Sequence, residues 1–216
     1  MDNGFGAGEA LFLLQSLGQT LFLSAIGFAG GGVFGLLVAL ARTAPPRWLR
    51  RATVVYVGVF QGTPLLLQLF CVYYGLGLLG LHLPAWASVA IGFSLNASAF
   101  LGDIWRGGIE ALARGQEEAA RALGLGYWAR MRHVIMPQAL RIAQPATVGY
   151  LVQLIKGTSL AAIVGYIELT NAGRIVSNTI NAPILVFGVV GAMYFALCWP
   201  LSLWSARLEA RTVVSR

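Results

Sequence analysis

Charged residues are scarce in this chain. Asp, Glu, Lys and Arg make up 11% of its 216 residues, whereas hydrophobic residues make up 57%. The mean hydropathy is +0.73, and such a composition lies far from that of soluble domains. The composition therefore excludes a soluble enzyme and indicates an integral membrane protein.

Residues that carry redox, metal or hydrolytic chemistry are also few. Cys71 and Cys198 lie in apolar stretches without Cys or His at ligand spacing, so neither a disulfide nor a metal site is expected. The two histidines, His82 and His133, fall in separate segments and cannot complete a catalytic triad or a zinc site. The Walker pattern GxxxxGK(S/T) is missing. We expect no catalytic residue, metal or cofactor on this chain, and any ATP dependence must come from a partner subunit.

Long runs without charge are abundant instead. Residues 10–41, 52–102 and 175–206 contain no charged residue, and a helix needs about 20 residues to cross a hydrocarbon core of about 30 Å. The stretch EALFLLQSLG, residues 9–18, is expected to form a separate amphipathic helix at the outer interface. The chain is predicted to be an all-α polytopic membrane protein, a single transmembrane domain over residues 1–216. Its five spans are expected at roughly 19–41, 53–77, 85–105, 143–165 and 185–206.

The basic residues predict the orientation. Thirteen of the 15 Lys and Arg residues follow the first, third or fifth predicted span. The positive-inside rule places these segments in the cytoplasm, with the N-terminus outside and the C-terminus cytoplasmic. The net charge of +7 then needs no nucleic-acid partner to explain it. The thirteen are Arg42, Arg47, Arg50, Arg51, Arg106, Arg114, Arg121, Arg130, Arg132, Arg141, Arg207, Arg211 and Arg216.

Glycine and proline mark two of the predicted spans. In span one, glycines four residues apart within 27–35 predict a groove for close helix packing. In span two, FQGTPLLLQLF contains Gly62 and Pro64, and proline leaves a carbonyl without its intrahelical partner. That carbonyl needs a partner from the protein or from a water-filled cavity. The break is therefore either part of a transport path or a kink satisfied by Thr63.

The segment GQEEAARALGLGYWARMRHVIMPQAL, residues 115–140, carries more charge than any other part of the chain. A helix is predicted to begin after Gly115, with Glu117 and Glu118 in its first turn, where the helix dipole favours acids. Arg121 follows Glu117 by four residues, so the two side chains are expected to pair.

Two glycines, Gly124 and Gly126, are predicted to end this helix at an elbow. A second short helix is expected over residues 127–136, before Pro137. Its apolar side chains favour an interface, since exposed apolar patches on a cytoplasmic loop are typical of docking sites. We interpret the elbow as a rigid docking site, and the alternative is a solvated loop with no partner. The apolar side chains are Tyr127, Trp128, Met131, Val134 and Met136.

The elbow resembles the EAA loop of ABC importer permeases. Glu118-Ala119-Ala120, then Gly124 after three residues and VIMP at 134–137 after nine more, follow the pattern EAA-x3-G-x9-I-x-L-P with two conservative replacements. The stretches FQGTPLLLQLF, DIWRGGIEAL, GQEEAARALG and KGTSLAAIVGYIELT resemble the polar amino-acid uptake branch, with its histidine, glutamine, glutamate and arginine permeases. The similarity covers about residues 18–211.

This resemblance implies a permease subunit of an ATP-driven amino-acid importer in the bacterial cytoplasmic (inner) membrane. Residues 106–141 would form a cytoplasmic coupling loop that docks on two ATPase subunits, which bind ATP and Mg. A second permease subunit, identical or homologous, and an extracytoplasmic amino-acid-binding protein would complete the transporter. The ATPase-coupling residues that the resemblance implies are Gln116, Glu117, Glu118, Ala119, Ala120, Gly124 and Pro137.

Polar residues within the spans are the candidate substrate path. Many members of the family have Arg where this chain has Gln61, and Glu where it has Asp103. Lys156 lies inside span four, where a charge is costly and a function is the default expectation. It would attract a substrate carboxylate, pair with Asp103 or Glu168, or snorkel to the interface. The path residues are Gln61, Thr63, Asp103, Lys156, Thr158 and Ser159.

Two other function classes fit the sequence less well. The alternative is an ATP-independent secondary transporter or channel subunit, but the EAA spacing argues against it and inverted repeats are not evident. A membrane-embedded enzyme is the third class, and no catalytic set supports it.

Overall fold

The computed structural model describes residues 4–214, with side chains to residue 211, and within that range it contains helices and no strand. Arg216, one of the thirteen basic residues used for the orientation, lies outside the described residues. The described residues form nine successive α-helices, with a π-helical turn at Met131–Ile135 and a 3-10 segment at Thr158–Val164. The α-helices are α1 (Ala7–Thr43), α2 (Arg47–Gly62), α3 (Leu65–Leu78), α4 (Ala85–Glu110), α5 (Arg114–Ala122), α6 (Tyr127–Arg130), α7 (Met136–Gly157), α8 (Leu169–Ile180) and α9 (Pro183–Val214).

Within residues 4–214, four helical runs are long and apolar enough to cross a membrane. A fifth span is obtained if α2 and α3 are counted as one broken span. The predicted all-α membrane fold is therefore confirmed, with four spans or the predicted five. The four runs are Ala7–Thr43, Ala85–Glu110, Tyr127–Val164 and Pro183–Arg211.

Helix α1 differs from its prediction at the N-terminal end. Residues 9–18 do not form a separate interfacial helix, because α1 runs unbroken for 37 residues, about 55 Å at 1.5 Å per residue. Leu13 is fully buried in a cluster with apolar residues of α8 and α9. That burial holds the first turns of α1 against the protein, which removes the reason for an amphipathic helix to lie flat on a membrane.

The glycines of α1 pack directly against α4. A Cβ atom added at Gly31 would lie 2.2 Å from the Cβ of Ala97, and one added at Gly27 would lie 2.8 Å from the Cβ of Phe93. Phe93 is fully buried at the centre of the largest apolar cluster, which joins α1, α3, α4 and α7. The predicted glycine groove is therefore confirmed, and it fixes α1 to α4 at close range.

The predicted break in span two is a sharp bend. Helices α2 and α3 meet at an angle of 104°, with α2 ending at Gly62 and α3 beginning after Pro64. The side chain of Thr63 donates a hydrogen bond to the carbonyl of Val59 at 2.7 Å, whereas the carbonyl that Pro64 leaves without an intrahelical partner is that of Phe60, so Thr63 does not satisfy it as the kink interpretation expected. Further partners for this turn come from elsewhere in the fold and are described with the cavity below.

The second arm of the elbow is longer than predicted. It does not end before Pro137, because α6, the π-helical turn, α7 and the 3-10 segment form one helical run from Tyr127 to Val164. Pro137 lies in the first turn of α7, directly after the π-helical turn, and proline's fixed φ suits a helix. The preceding π-helical turn changes the hydrogen-bond register at the proline, as single π turns do within helices.

Candidate functional site

The elbow between α5 and α6 is closed by its own backbone. Gly124 has φ of 74°, a left-handed conformation that glycine adopts without a steric penalty. Its N–H donates to the carbonyl of Arg121 at 2.9 Å, and the N–H of Leu125 donates to the carbonyl of Ala120 at 3.1 Å. These two bonds form a Schellman motif. Gly126 then precedes α6 in an extended conformation, so the predicted elbow is confirmed.

Charged side chains hold the two arms of the elbow together. One carboxylate oxygen of Glu117 lies 2.7 Å from an Arg121 nitrogen and 3.5 Å from an Arg130 nitrogen. Arg130 is only 9% exposed, and its guanidinium lies 5.7 Å from the ring centre of Tyr127. The predicted pair between Glu117 and Arg121 is confirmed, and Arg130 adds a bond that crosses the elbow.

The outer surface of the elbow is apolar at its tip. Leu123 is 80% exposed and Trp128 is 72% exposed. Met131, by contrast, is buried, so the prediction that it belongs to a docking surface is wrong. It is buried because the second arm continues as a helix, which turns Met131 towards the protein. Sequence analysis missed Leu123, although its place beside the elbow glycine in a polar segment was a signal.

A second polar site lies at the bend between α2 and α3. The side-chain amide of Gln68 donates to the carbonyl of Phe60 at 2.8 Å and to the carbonyl of Thr63 at 3.0 Å. Asn96 on α4 donates to the Gln68 side-chain oxygen at 2.9 Å, and the Tyr150 hydroxyl on α7 donates to Asn96 at 3.0 Å. Three separate helices are thus linked by one hydrogen-bonded chain, which supplies the partners that the bend requires.

A cavity of about 160 Å³ opens beside this network. Its walls combine aromatic rings with amide and hydroxyl groups, and no charged side chain lines it. Such a lining provides donors and acceptors for a polar solute inside an apolar surround. The lining residues are Phe60, Thr63, Leu65, Asn96, Phe100, Tyr150, Gln153 and Leu154.

Comparison with known proteins identifies the family of this chain. Residues 31–214 match the model of the family described as the binding-protein-dependent transport system inner membrane component. The chain belongs to this family of permeases. It is 34% identical over 200 residues to a probable amino-acid ABC transporter permease, YckA, of Bacillus subtilis (strain 168), covering 93% of this chain and 88% of the relative. It is 32% identical over 202 residues to the glutamine transport system permease GlnP of Escherichia coli (strain K12), covering 92% of each.

Solved structures show the same architecture. The permease superposes on a chain of an amino acid ABC transporter crystallised with histidines, with a TM-score of 0.85 at 30% identity over 94% of both chains. It also superposes on an inward-facing structure of the MetNI methionine ABC transporter, with a TM-score of 0.82, over 96% of this chain and 99% of that one. The second likeness has 20% sequence identity and shows the fold. The permease is a multi-pass membrane subunit of an ABC importer, whose ATPase is a separate subunit.

The residues that resemble the EAA motif occupy different environments in the permease. Glu118 and Ala119 are exposed, as is Gly124, whereas Ala120 is buried against the protein. Glu117 is half-buried by the two arginines that contact it. The remaining two, Gln116 and Pro137, are exposed, and Gln116 accepts a hydrogen bond of 3.3 Å from Gln138.

The predicted path residues are not gathered at one place in the permease. Thr63 lines the cavity at the bend, and Gln61 is exposed at the end of α2. Thr158 is fully buried and donates to the carbonyl of Ile155. Ser159 is partly exposed and donates to the carbonyl of Lys156.

Asp103 and Lys156 do not form the ion pair that one interpretation expected. Asp103 lies 3.3 Å from Arg42 and 3.0 Å from Arg106, because α1 and α4 end side by side and bring these arginines to it. Lys156 is exposed on the surface of the subunit, and no ion pair involves it among residues 4–214.

Glu168 is not a partner of Lys156 either. It is fully buried before α8, where its carboxylate accepts from the backbone N–H groups of Thr170 and Asn171, each at 2.8 Å, and from the Tyr194 hydroxyl at 2.9 Å. Burial raises the pKa of Glu168, and these hydrogen bonds oppose the rise. The carboxyl group therefore serves as the cap of α8.

Sequence analysis missed the residues that form the polar network in the permease. Gln68, Asn96 and Tyr150 meet across three helices, and their separation in sequence hides that contact. Amide side chains inside the charge-free run 52–102 were the available signal, because a polar group in a membrane must find a partner in the protein.

Proposed function

We propose that this permease imports an amino acid across the bacterial cytoplasmic membrane, driven by ATP hydrolysis on partner subunits. The two relatives described above are named as an amino-acid and a glutamine permease, which supports this substrate class. Two ATPase subunits that hold ATP and Mg, a second permease subunit and an extracytoplasmic binding protein would complete the transporter. The second permease subunit would be identical to this one or homologous to it.

One observation carries this proposal: the elbow and the cavity share a single helical run. The second arm of the elbow begins at Tyr127, and Tyr150 and Gln153 of the same helical run line the cavity. The distance along the helix from residue 127 to residue 150 is about 35 Å at 1.5 Å per residue. A displacement of the elbow is therefore transmitted to the cavity wall without crossing a loop.

The coupling residues divide into two roles under this proposal. Glu118 and Ala119, with Leu123 and Trp128 at the tip, would contact the ATPase, since exposed apolar side chains rimmed by polar ones are typical of interfaces. Glu117 would keep the two arms in a fixed relation through Arg130. ATP-driven closure of the two ATPases would move the elbow as a rigid unit.

The cavity at the α2–α3 bend would form this subunit's part of the substrate path. Its amide and hydroxyl groups are suited to the amino and carboxylate groups of an amino acid, which lose water on entry. Lys156 lies three residues after Gln153 on the same helix. We propose that it attracts the substrate carboxylate from the subunit surface.

The decisive experiment reconstitutes the permease with its co-expressed ATPase and binding protein in proteoliposomes. ATP hydrolysis is measured as each amino acid is added with the binding protein. We expect one amino acid or a small group to stimulate hydrolysis and to accumulate in the lumen that corresponds to the cytoplasm. Accumulation that proceeds without ATP would instead support the secondary-transporter alternative.

The orientation is a separate part of this proposal. With Cys71 and Cys198 replaced by serine, a cysteine at position 82 should react with an impermeant thiol reagent added outside intact cells. A cysteine at position 47 should react only after the membrane is opened. The reverse labelling pattern would place the elbow outside and remove it from any contact with an ATPase.

A further inference from the structure

The beginning of α2 presents a cluster of basic side chains beside apolar ones. Arg47, Arg50 and Arg51 line an open cavity of about 520 Å³ together with Val54 and Val55. No acidic side chain lines this cavity, and none of the three arginines takes part in an ion pair among residues 4–214. The cavity therefore gathers three positive charges that make no ion pair in the described part of the chain.

These side chains share one face of α2, with the charged arginines first and the apolar valines further along the helix. Arg47, Arg51, Val54 and Val55 occupy positions i, i+4, i+7 and i+8, which share one face of a helix. Val54 and Val55 are 51% and 66% exposed. They lie about 5–12 Å further along the axis than the arginines. The arginine side chains are thus followed, within about two helical turns, by the exposed apolar surface of the valines.

Trp48 identifies where this end of α2 lies relative to a bilayer. Its side chain is 71% exposed, and exposed tryptophan beside arginine is typical of the headgroup region of a membrane. From that level α2 continues towards the bend and its polar cavity. The valines therefore lie on the side of the arginines where acyl chains begin.

We propose that Arg47, Arg50 and Arg51 bind the headgroup phosphate of an anionic phospholipid, with one acyl chain lying along Val54 and Val55. Guanidinium groups bind phosphate oxygens through paired, charge-assisted hydrogen bonds. A free phosphate would satisfy the arginines and leave the valines uncovered, whereas a phospholipid satisfies both parts of the surface. This proposal requires only that the chain spans a membrane, and it is independent of the substrate and of the ATPase.

Arg50 joins this lipid site to the base of the elbow. It also lines a second cavity, of about 300 Å³, whose walls include Glu110 at the end of α4 and Arg114 and Glu117 of α5. A headgroup held by Arg50 therefore lies next to the arm that contains the EAA-like residues.

The test titrates the full-length permease, purified in detergent, with phosphatidylglycerol or with phosphatidylcholine of the same acyl chains. Bound lipid is counted by native mass spectrometry. We expect phosphatidylglycerol to bind at least about tenfold more tightly, and the variant Arg50→Gln/Arg51→Gln to lose most of that preference. The matched control is Arg207→Gln/Arg211→Gln, which removes the same charge from the end of α9 and should keep the preference.

A second variant separates a lipid from a free anion. Val55→Trp leaves every charge in place and fills the apolar part of the cavity, so it should reduce phosphatidylglycerol binding by about tenfold. Glycerol phosphate at the same concentration should not displace the lipid. Unchanged lipid binding by Val55→Trp, displacement by glycerol phosphate, or an equal loss in the α9 control would each overturn the proposal. Matching gel-filtration profiles and helical circular dichroism establish that the variants are folded.

Discussion

Helical structure is interrupted both at the elbow, by Gly124, and at the α2–α3 bend, between Gly62 and Leu65, yet the two interruptions are completed by different groups. At the elbow, the left-handed conformation of Gly124 lets backbone N–H groups bond the carbonyls at the end of α5. At the bend, a side-chain amide from Gln68 reaches back to two carbonyls. The elbow is exposed and charged, whereas the bend is completed by the largely buried side chain of Gln68 and by other neutral amides and hydroxyls.

This difference follows from the surroundings of each interruption. Water is available to the exposed elbow, so a single glycine is enough and the side chains remain free for charge pairs. In an apolar environment an unpaired carbonyl costs several kcal/mol, so a partner must come from another part of the chain. The bend therefore depends on α4 and α7, while the elbow depends on local sequence.

The largest effect is expected when the bend loses its amide. Gln68→Leu leaves the carbonyls of Phe60 and Thr63 and the amide of Asn96 without that partner, at about 1–3 kcal/mol for each buried group. We expect a clear fall in the thermal unfolding temperature, measured by tryptophan fluorescence in detergent, and a lower yield of folded protein. Gln61→Leu is the control, because Gln61 is exposed nearby. Equal stability of both variants would show that the network does not hold the bend.

The next largest effect is expected at the elbow, on transport rather than on folding. Gly124→Val places a β-branched residue at positive φ, which costs about 1–2 kcal/mol, although no atom lies within 4 Å of the added Cβ. The elbow should open, and ATP-dependent uptake should fall by about tenfold or more while membrane insertion is unchanged.

Gly124→Asn is the matched control for the elbow, because asparagine tolerates the left-handed conformation. It should retain most of the uptake that the valine variant loses. Full uptake and normal ATPase co-purification by the valine variant would contradict the role of the elbow in coupling.

A smaller effect separates the two acidic residues of the elbow. Glu117→Gln removes the charge beside the largely buried Arg130 and should lower stability by about 1 kcal/mol, because Glu117 itself is partly exposed. Glu118→Gln should leave stability unchanged and weaken ATPase co-purification instead. Thermal unfolding and pull-down of the ATPase measure the two outcomes. A stability loss in the Glu118 variant would contradict the proposal that Glu117 holds the two arms together while Glu118 contacts the ATPase.

The smallest effect on folding is expected at Lys156. Lys156→Met breaks no ion pair described in residues 4–214, so yield and unfolding temperature should match those of the unmodified chain. Uptake should fall by about tenfold, equivalent to roughly 1.4 kcal/mol, because the carboxylate of the substrate loses its cation. Unchanged uptake would support the snorkelling interpretation. Loss of folded protein would point to a partner outside this subunit.

The features that the sequence predicted correctly depend on local patterns. Charge-free runs located the spans, the spacing of glycines in α1 predicted its packing on α4, and Gly124 predicted the elbow. Each of these follows from the residues of a single segment and their interaction with solvent or lipid.

The features that were missed depend on contacts between segments. Nothing in its own span indicates that Asp103 meets Arg42 of α1, or that Asn96 joins Gln68 to Tyr150. The continuity of the helix through Pro137 depends on a π-helical turn, and periodicity alone does not reveal a change of hydrogen-bond register.

The α2–α3 bend also has a consequence for how the chain enters the membrane. Helix α2 has 16 residues and α3 has 14, which gives lengths of about 24 Å and 21 Å. Neither reaches across a hydrocarbon core of about 30 Å. The insertion machinery is therefore expected to accept the charge-free residues 52–78 of the two helices as one apolar element. The bend can be stabilised only later, once α4 has been synthesised and Asn96 has reached Gln68, so this part of the path matures after its residues are already in the bilayer.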